Sequence, residues 1–274
     1  MVVLSKRLQA LADMVSPGNR VADVGCDHGF VSIYLVQNRI SPYVYAMDVR
    51  EGPLQRAKEH IASYGMENYI ETRLSDGVQA LLPGEADALV LAGMGGKLMQ
   101  KILTEGAEKV SLMKELILQP QSEISAFRAF LRQENYDIID EKMILEDGKY
   151  YPMMKVVPKA GSKSGEELTK KQVKDSDLQR LEDKFGRLLL ERKDSVLIQY
   201  LHFDLKIHEE ILSKLQQGGG NDQKAQAARQ KRAEEVLTEI EDMKRALSGM
   251  EAGNDNDYSE CKRNERTVPC RGNL

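Results

Sequence analysis

Val21-Ala22-Asp23-Val24-Gly25-Cys26-Asp27-His28-Gly29-Phe30 opens as a short apolar strand. It breaks into a turn with two glycines and leads into an apolar run, Phe30 to Val36, that can continue as a helix. Strand, glycine turn and helix in that order form the nucleotide-binding corner of a doubly wound α/β sheet. Glycine there lets the backbone approach a ligand with no Cβ in between. A pyrophosphate-binding corner wants Gly-x-Gly-x-x-Gly, and here the second glycine position holds Asp27. That carboxylate repels a pyrophosphate and attracts a cation. S-adenosylmethionine carries a sulfonium and an ammonium and no phosphate, so the corner suits it better than NAD.

Three further segments have the same character. Residues 43–48 read as a strand ending in Asp48, with Val49 beside it. A carboxylate at that spacing from Gly25 can grip ribose hydroxyls or cap the helix that starts near Gly52-Pro53. Residues 69–74 read as a strand followed by Ser75-Asp76-Gly77, where the acid can meet an adenine amino group or cap a helix. Residues 86–91 read as a strand followed by Ala92-Gly93-Met94-Gly95-Gly96. Those three glycines are expected to leave open backbone where a transferred methyl and its acceptor meet. Such residues at four strand ends, all on the carboxyl edge of one sheet, are hard to assemble by chance. The expected cofactor-binding set is Asp23, Gly25, Cys26, Asp27, His28, Gly29, Asp48, Val49, Ser75, Asp76, Gly77, Ala92, Gly93 and Met94.

Strung together, Asp23-Val24-Gly25-Cys26-Asp27-His28-Gly29, Asp48, Ser75-Asp76-Gly77, Ala92-Gly93-Met94-Gly95-Gly96 and Gln119-Pro120 resemble the bacterial tRNA adenine-22 N1-methyltransferase family. Arg7-Leu8 and Lys184-Phe185-Gly186 add to the likeness, which runs from about Leu4 to about Met250. Two positions depart from the pattern: Cys26, where a Thr or other small residue is expected, and Gln121, where Asn is expected. The resemblance implies a class I, Rossmann-like fold with a seven-stranded, mostly parallel sheet and a terminal antiparallel hairpin. It also implies methyl transfer from S-adenosylmethionine to N1 of adenosine 22 in tRNA. Arg7, Lys97, Gln119 and Pro120 are the expected RNA contacts. No catalytic residue is assigned beyond the candidates Asp27, Gly93 and Met94. Neutral adenine N1 needs no base before attack, and no His/Asp or Cys/His pair argues for covalent catalysis. A non-catalytic tRNA- or protein-binding module on the same fold and an NAD-dependent oxidoreductase are the alternatives.

The rest of the 274-residue chain fits an intracellular enzyme. Three cysteines are too few and too scattered for a disulfide framework or zinc site, so no metal is expected. No apolar run approaches the ~20 residues of a membrane span. No signal peptide is evident, and a cytoplasmic monomer is expected. A net charge of −4 means that RNA must meet local basic groups.

Along the chain, Leu4 to Val15 reads as a helix ended by Pro17-Gly18. Helices at 52–64, 95–105 and 122–135 alternate with the strands. Tyr136–Glu146 and Lys149–Val157, joined by Asp147-Gly148, read as a hairpin. The expected organisation is a methyltransferase domain over 1–160, a linker and helix over 161–194, a two-helix coiled coil over 195–250 and a disordered tail over 251–274. The coiled coil rests on the three-four spacing of Ile198, Leu201, Leu205, His208, Leu212 and Leu215, repeated by Ala233, Val236, Ile240, Met243, Leu247 and Met250. His208 is expected on the seam as a hydrogen-bonded residue.

Overall fold

Seven strands form one sheet in the order β3-β2-β1-β4-β5-β7-β6. The structure is a computed structural model and describes residues 1–159, 176–217 and 223–251. Most of the expected linker, the expected turn at 218–222, and nearly all of the expected tail, with Cys261 and Cys270, lie outside the described residues.

The chain runs α1 (Lys6–Ala12), β1 (Val21–Val24), α2 (Phe30–Gln37), β2 (Val44–Asp48), α3 (Glu51–Ser63), β3 (Ile70–Leu74), β4 (Ala88–Met94), α4 (Gly96–Glu105), α5 (Ala107–Val110) and β5 (Glu115–Pro120). It continues through α6 (Ile124–Gln133), β6 (Tyr136–Glu146), β7 (Lys149–Pro158), α7 (Ser176–Phe185) and α8 (Arg187–Glu191), then α9 (Ser195–Gln217) and α10 (Gln223–Glu251). Strands β1 to β5 pair in parallel; β7 enters antiparallel between β5 and β6. The hairpin turn works because Asp147 and Gly148 both take positive φ, 49° and 71°.

Every residue of β1, β2 and β5 is buried, as a sheet covered on both faces requires. Alternate residues divide between two cores. Val21, Val44, Val90 and Ile117 pack beneath α1, α2 and α3. Ala22, Met47, Leu91 and Leu118 pack against Met99 of α4 and Phe127 of α6. The strand order reverses at β1 and β4, and a crevice outside the carboxyl ends of the strands is expected there.

Three expectations are corrected. First, α1 is shorter than Leu4–Val15: Ser5 caps it through Leu8 N–H, and the last turn loosens after Ala12. Second, no helix follows β3. Ser75 Oγ donates to Gly77 O and accepts from Ala80 N–H, 2.8 and 3.0 Å, which curls the chain into turns, so Asp76 caps nothing. Third, β4 runs on to Met94, so the glycine-rich segment is partly strand.

The chain divides into two compact units, residues 1–188 and 189–274. The first extends past the expected boundary at 160 because α7 is anchored to the sheet. Buried Arg128 pairs with buried Glu141 at 2.9 Å and donates to the Asp183 and Lys184 carbonyls at the end of α7. Gly186, at φ +95°, passes so close that a Cβ would lie 2.7 Å from Glu141 Oε1. In the second unit α9 and α10 pack together, with Val236, Ile240, Met243, Leu247 and Met250 buried. His208 sits on that seam, with Nε2 2.8 Å from Glu239 Oε2 and Nδ1 2.8 Å from the Asp204 carbonyl. Among the described residues no helix is long and apolar enough to cross a membrane.

Candidate functional site

The ends of β1, β2, β3 and β4, with α1, enclose a cavity of about 630 Å³. Its donor corner is built by hydrogen bonds at the end of β1. The N–H groups of Gly25 and Cys26 both donate to the Met47 carbonyl, at 2.8 and 3.0 Å. The turn is thereby pinned to β2. Gly25 needs its φ of +77°, and a Cβ there would overlap the Met94 Cε methyl. Gly29 closes the turn through its N–H to Cys26 O and starts α2 at φ +72°. A Cβ on Gly29 would press on Ala57 of α3 at 3.2 Å, so this glycine serves helix packing and does not line the cavity.

Four carboxylates line the cavity. Asp23 is buried and accepts from Ser32 Oγ at 2.6 Å. Burial, with the Asp48 charge adding to it, pushes its pKa up to about 6. Asp48 is buried at the tip of β2 and accepts from Arg50 N–H at 2.9 Å. Asp76 is exposed, 3.3 Å from Lys101 Nζ. Asp27 also lines the cavity, but its carboxylate already meets Arg56 Nη2 at 3.3 Å and His28 Nε2 at 3.6 Å. Asp27 is thus already engaged by neighbours, whereas Asp23 has no cationic partner among the described residues.

The cavity is also lined by Arg7, Leu8 and Leu11 of α1, Gly93, Met94 and Gln121. Gly93 takes φ +74°, and a Cβ there would meet nothing closer than Gln121 Nε2 at 3.8 Å. It is thus the one glycine of its segment that opens the cavity. Gly95 and Gly96 face the other way: a Cβ would lie 2.9 Å from Ser122 Oγ or 2.8 Å from Ser122 O, where β5 turns into α6. Of the expected RNA contacts, Arg7 reaches the cavity. Lys97 points to solvent beside Glu123, 3.2 Å away. Gln119 and Pro120 are buried at the end of β5 and do not line the cavity. Gln121, one residue on, does. The sequence reading also missed Arg50 and Leu98; only their nearness to strand tips could have signalled them.

The donor set decides what the cavity can hold. Acids on successive strand tips suit a ligand with an ammonium, ribose hydroxyls and an amino group. S-adenosylmethionine has all three, and Gly93 leaves open space beside them. A pyrophosphate would meet Asp23 and Asp27 instead of a cationic cradle. Burial raises the Cys26 thiol pKa, with Asp23 and Asp48 adding to it, so the thiol stays protonated and is no nucleophile. No group of three or more His, Cys, Asp or Glu side chains among the described residues could hold a metal ion.

Known proteins show the same pattern. The family described as "Methyltransferase domain" matches residues 4–154. Over 160 residues, 58% of this chain and 66% of the relative, the sequence is 38% identical to the tRNA (adenine(22)-N(1))-methyltransferase of Bacillus subtilis. The matched stretch thus spans just under two thirds of that relative. Among solved structures, the B. subtilis m1A22 tRNA methyltransferase TrmK superposes with a TM-score of 0.73 at 28% identity, covering 90% of this chain and 100% of that one. A putative tRNA (m1A22) methyltransferase from Streptococcus pneumoniae, solved in complex with S-adenosyl-L-methionine, gives 0.72 at 26%, covering 89% and 100%. The family match covers more than half of the chain, and the chain belongs to the methyltransferase domain family.

Proposed function

We propose that this protein moves a methyl group from S-adenosylmethionine to N1 of adenosine 22 in tRNA. The observation that carries the reading is the set of Asp23, Asp48 and Asp76 around one cavity that Gly93 leaves open. The B. subtilis relative, named for that reaction, supports the choice of base and position.

In this reading Asp48 accepts from the ribose hydroxyls, Asp23 faces the donor's ammonium and Asp76 meets the adenine amino group. Val49, 60% exposed at the rim, offers an apolar face to the adenine ring. When bound, the cofactor supplies a methyl on a sulfonium, open to in-line displacement by a neutral nitrogen. The protein's task is then alignment and exclusion of water, for which bound geometry is worth more than a base. The N1 edge is engaged in folded tRNA, so the base must turn out of its stack to reach the acceptor side. Leu8 and Leu11 present apolar surface there, and Gly93 and Gln121 border the space left for the base.

The two-helix unit serves as a tRNA clamp. Between residues 211 and 233 the described side chains include Lys214, Lys224, Arg229, Lys231 and Arg232 and no acid. Residues 234–251 carry Glu234, Glu235, Glu239, Glu241, Asp242 and Glu251 against Lys244 and Arg245. That segregation puts the phosphate contacts toward the α9–α10 connection. A tRNA substrate implies work in the cytoplasm.

The test is incubation of the full chain with unmodified tRNA and methyl-labelled S-adenosylmethionine, followed by nucleoside analysis. The expected product is 1-methyladenosine at position 22, absent from a transcript with guanosine there. Label in another nucleoside, or equal label in both transcripts, would refute the assignment.

A further inference from the structure

Gln119 is 1% exposed and sits at the end of β5, out of reach of the cavity. Opposite it the ladder slips: Ala92 pairs with Gln119 and Met94 with Pro120, which leaves Gly93 as the extra residue of a bulge. A bulge strands one residue's backbone groups outside the ladder. Here the Gly93 N–H donates instead to the side-chain oxygen Gln119 Oε1, at 3.2 Å. The same oxygen accepts from Arg7 Nη1 at 2.9 Å. Arg7 is itself held in two other ways: its guanidinium lies 5.1 Å over the Tyr151 ring, and its backbone N–H donates to Glu146 Oε1 at 3.0 Å. One chain of contacts therefore runs from α1 and the β6–β7 hairpin, through one amide oxygen, to the bulge.

The bulge matters because of what it aims. Gly93 turns its open side to the cavity, and the next residue, Met94, carries its Cε methyl across Gly25 in the donor corner. Bulges beside active sites re-aim side chains in this way.

We propose that Arg7 and Gln119 are positioning residues for methyl transfer, not RNA contacts: together they hold the Gly93 bulge so that Met94 stays over the donor corner and the acceptor space beside Gly93 stays open. The proposal rests on the reading of this cavity as a methyl-transfer site. It reassigns both residues from the role that the family resemblance implied. The Arg7 charge is engaged within the fold, and Gln119 is too deep to touch a phosphate.

Three single variants and one double variant test it, each assayed for kcat and KM with tRNA, for tRNA affinity across a salt series and for melting temperature. Gln119→Met keeps the volume and removes the acceptor. It should lower kcat about 10- to 100-fold, the scale of a small misplacement of reacting groups, with tRNA affinity and its salt slope unchanged. Gln119→Glu keeps an acceptor for both donors and should stay within a few fold of wild type. Arg7→Ala should lower kcat as Gln119→Met does, and the double variant should be no worse than either single one, because both cut the same chain of contacts. A loss of tRNA affinity in Arg7→Ala with its salt slope reduced by about one, and kcat at saturation unchanged, would overturn the proposal and make Arg7 a phosphate contact. Unimpaired kcat in Gln119→Met would overturn it too. Should Gln119→Met melt below the assay temperature, the kcat of Arg7→Ala, altered near the surface, decides alone. Wild-type enzyme run alongside separates the two readings: if it fails to methylate A22, the functional reading falls, and the relay is judged only against active wild type.

Discussion

Lowering the pH from 7 to 5 should weaken S-adenosylmethionine binding about tenfold, through Asp23. The carboxyl is buried, and burial raises its pKa from an ordinary 3.8 to about 6. That rise is on the order of 3 kcal/mol at 1.36 kcal/mol per unit. The sign follows from linkage. A folded pKa above the unfolded one means that the folded protein holds the proton more tightly. The associated stability is present below pH 4 and is lost as pH rises through 6. The free enzyme is therefore least comfortable at neutral pH, where Asp23 is charged and its neighbour Asp48 adds repulsion. An ammonium placed there relieves the penalty. Below pH 6 that ammonium must displace a proton, and affinity falls about tenfold per unit until the pKa of the complex is reached. Calorimetric titration between pH 5 and pH 7 reads this directly, and binding at pH 5 should release close to one proton per site. Asp23→Asn should bind weakly at pH 7 and lose most of the pH dependence. His28 lines the same cavity, so the variant is the necessary control. A pH dependence that survives intact in Asp23→Asn would refute the reasoning.

Asp48→Ala should weaken the same ligand about tenfold or more, because charge-assisted hydrogen bonds of roughly 1.5–3 kcal/mol are lost; an unchanged dissociation constant in a folded variant would exclude the ribose role. Gly93→Val should abolish turnover with the fold intact, since its side chain enters the cavity. Gly95→Val should show its damage in the melting temperature instead, because a Cβ there strikes Ser122. Charge reversal at Lys224, Lys231 and Arg232 together should weaken tRNA binding and flatten its salt dependence without changing cofactor affinity. Full tRNA affinity in that variant would remove the clamp.

The sheet was legible because its strands announce themselves by composition and end in residues that apolar strands do not otherwise carry. Val21–Val24 breaking at Gly25, and Val44 to Met47 ending in Asp48, are examples. The hairpin was legible because Asp-Gly has few other uses between two strand-forming runs. The helical pair was legible because its spacing of three and four runs unbroken through both helices. What could not be read depends on partners far away in sequence. Asp27 looks like a free anion until Arg56 is folded against it. The glycines at 93, 95 and 96 look alike until one faces a cavity and two face Ser122. Gln119 looks like a polar loop residue until a bulge gives it an N–H to hold. Periodicity describes one element at a time, and a site is a relation between several.

The α1 side of the cavity joins chain segments far apart in the sequence of the first unit. Ser5 Oγ and Arg7 N–H reach Glu146 across 141 and 139 residues of sequence, and Lys155 Nζ reaches the Met14 carbonyl across another 141. On a ribosome adding about 5–20 residues per second, the first helix waits roughly 7 to 30 seconds for its partners to emerge. Meanwhile β1, β2 and β3, with Asp23 and Asp48 at two of their ends, are already synthesised. Contacts of such long range also form slowly, because loop closure precedes any reward. The α1 wall of the cavity therefore closes only after β1, β2 and β3 have been made. A nascent or partly unfolded chain can hold the strand-end acids while lacking the α1 wall of the cavity.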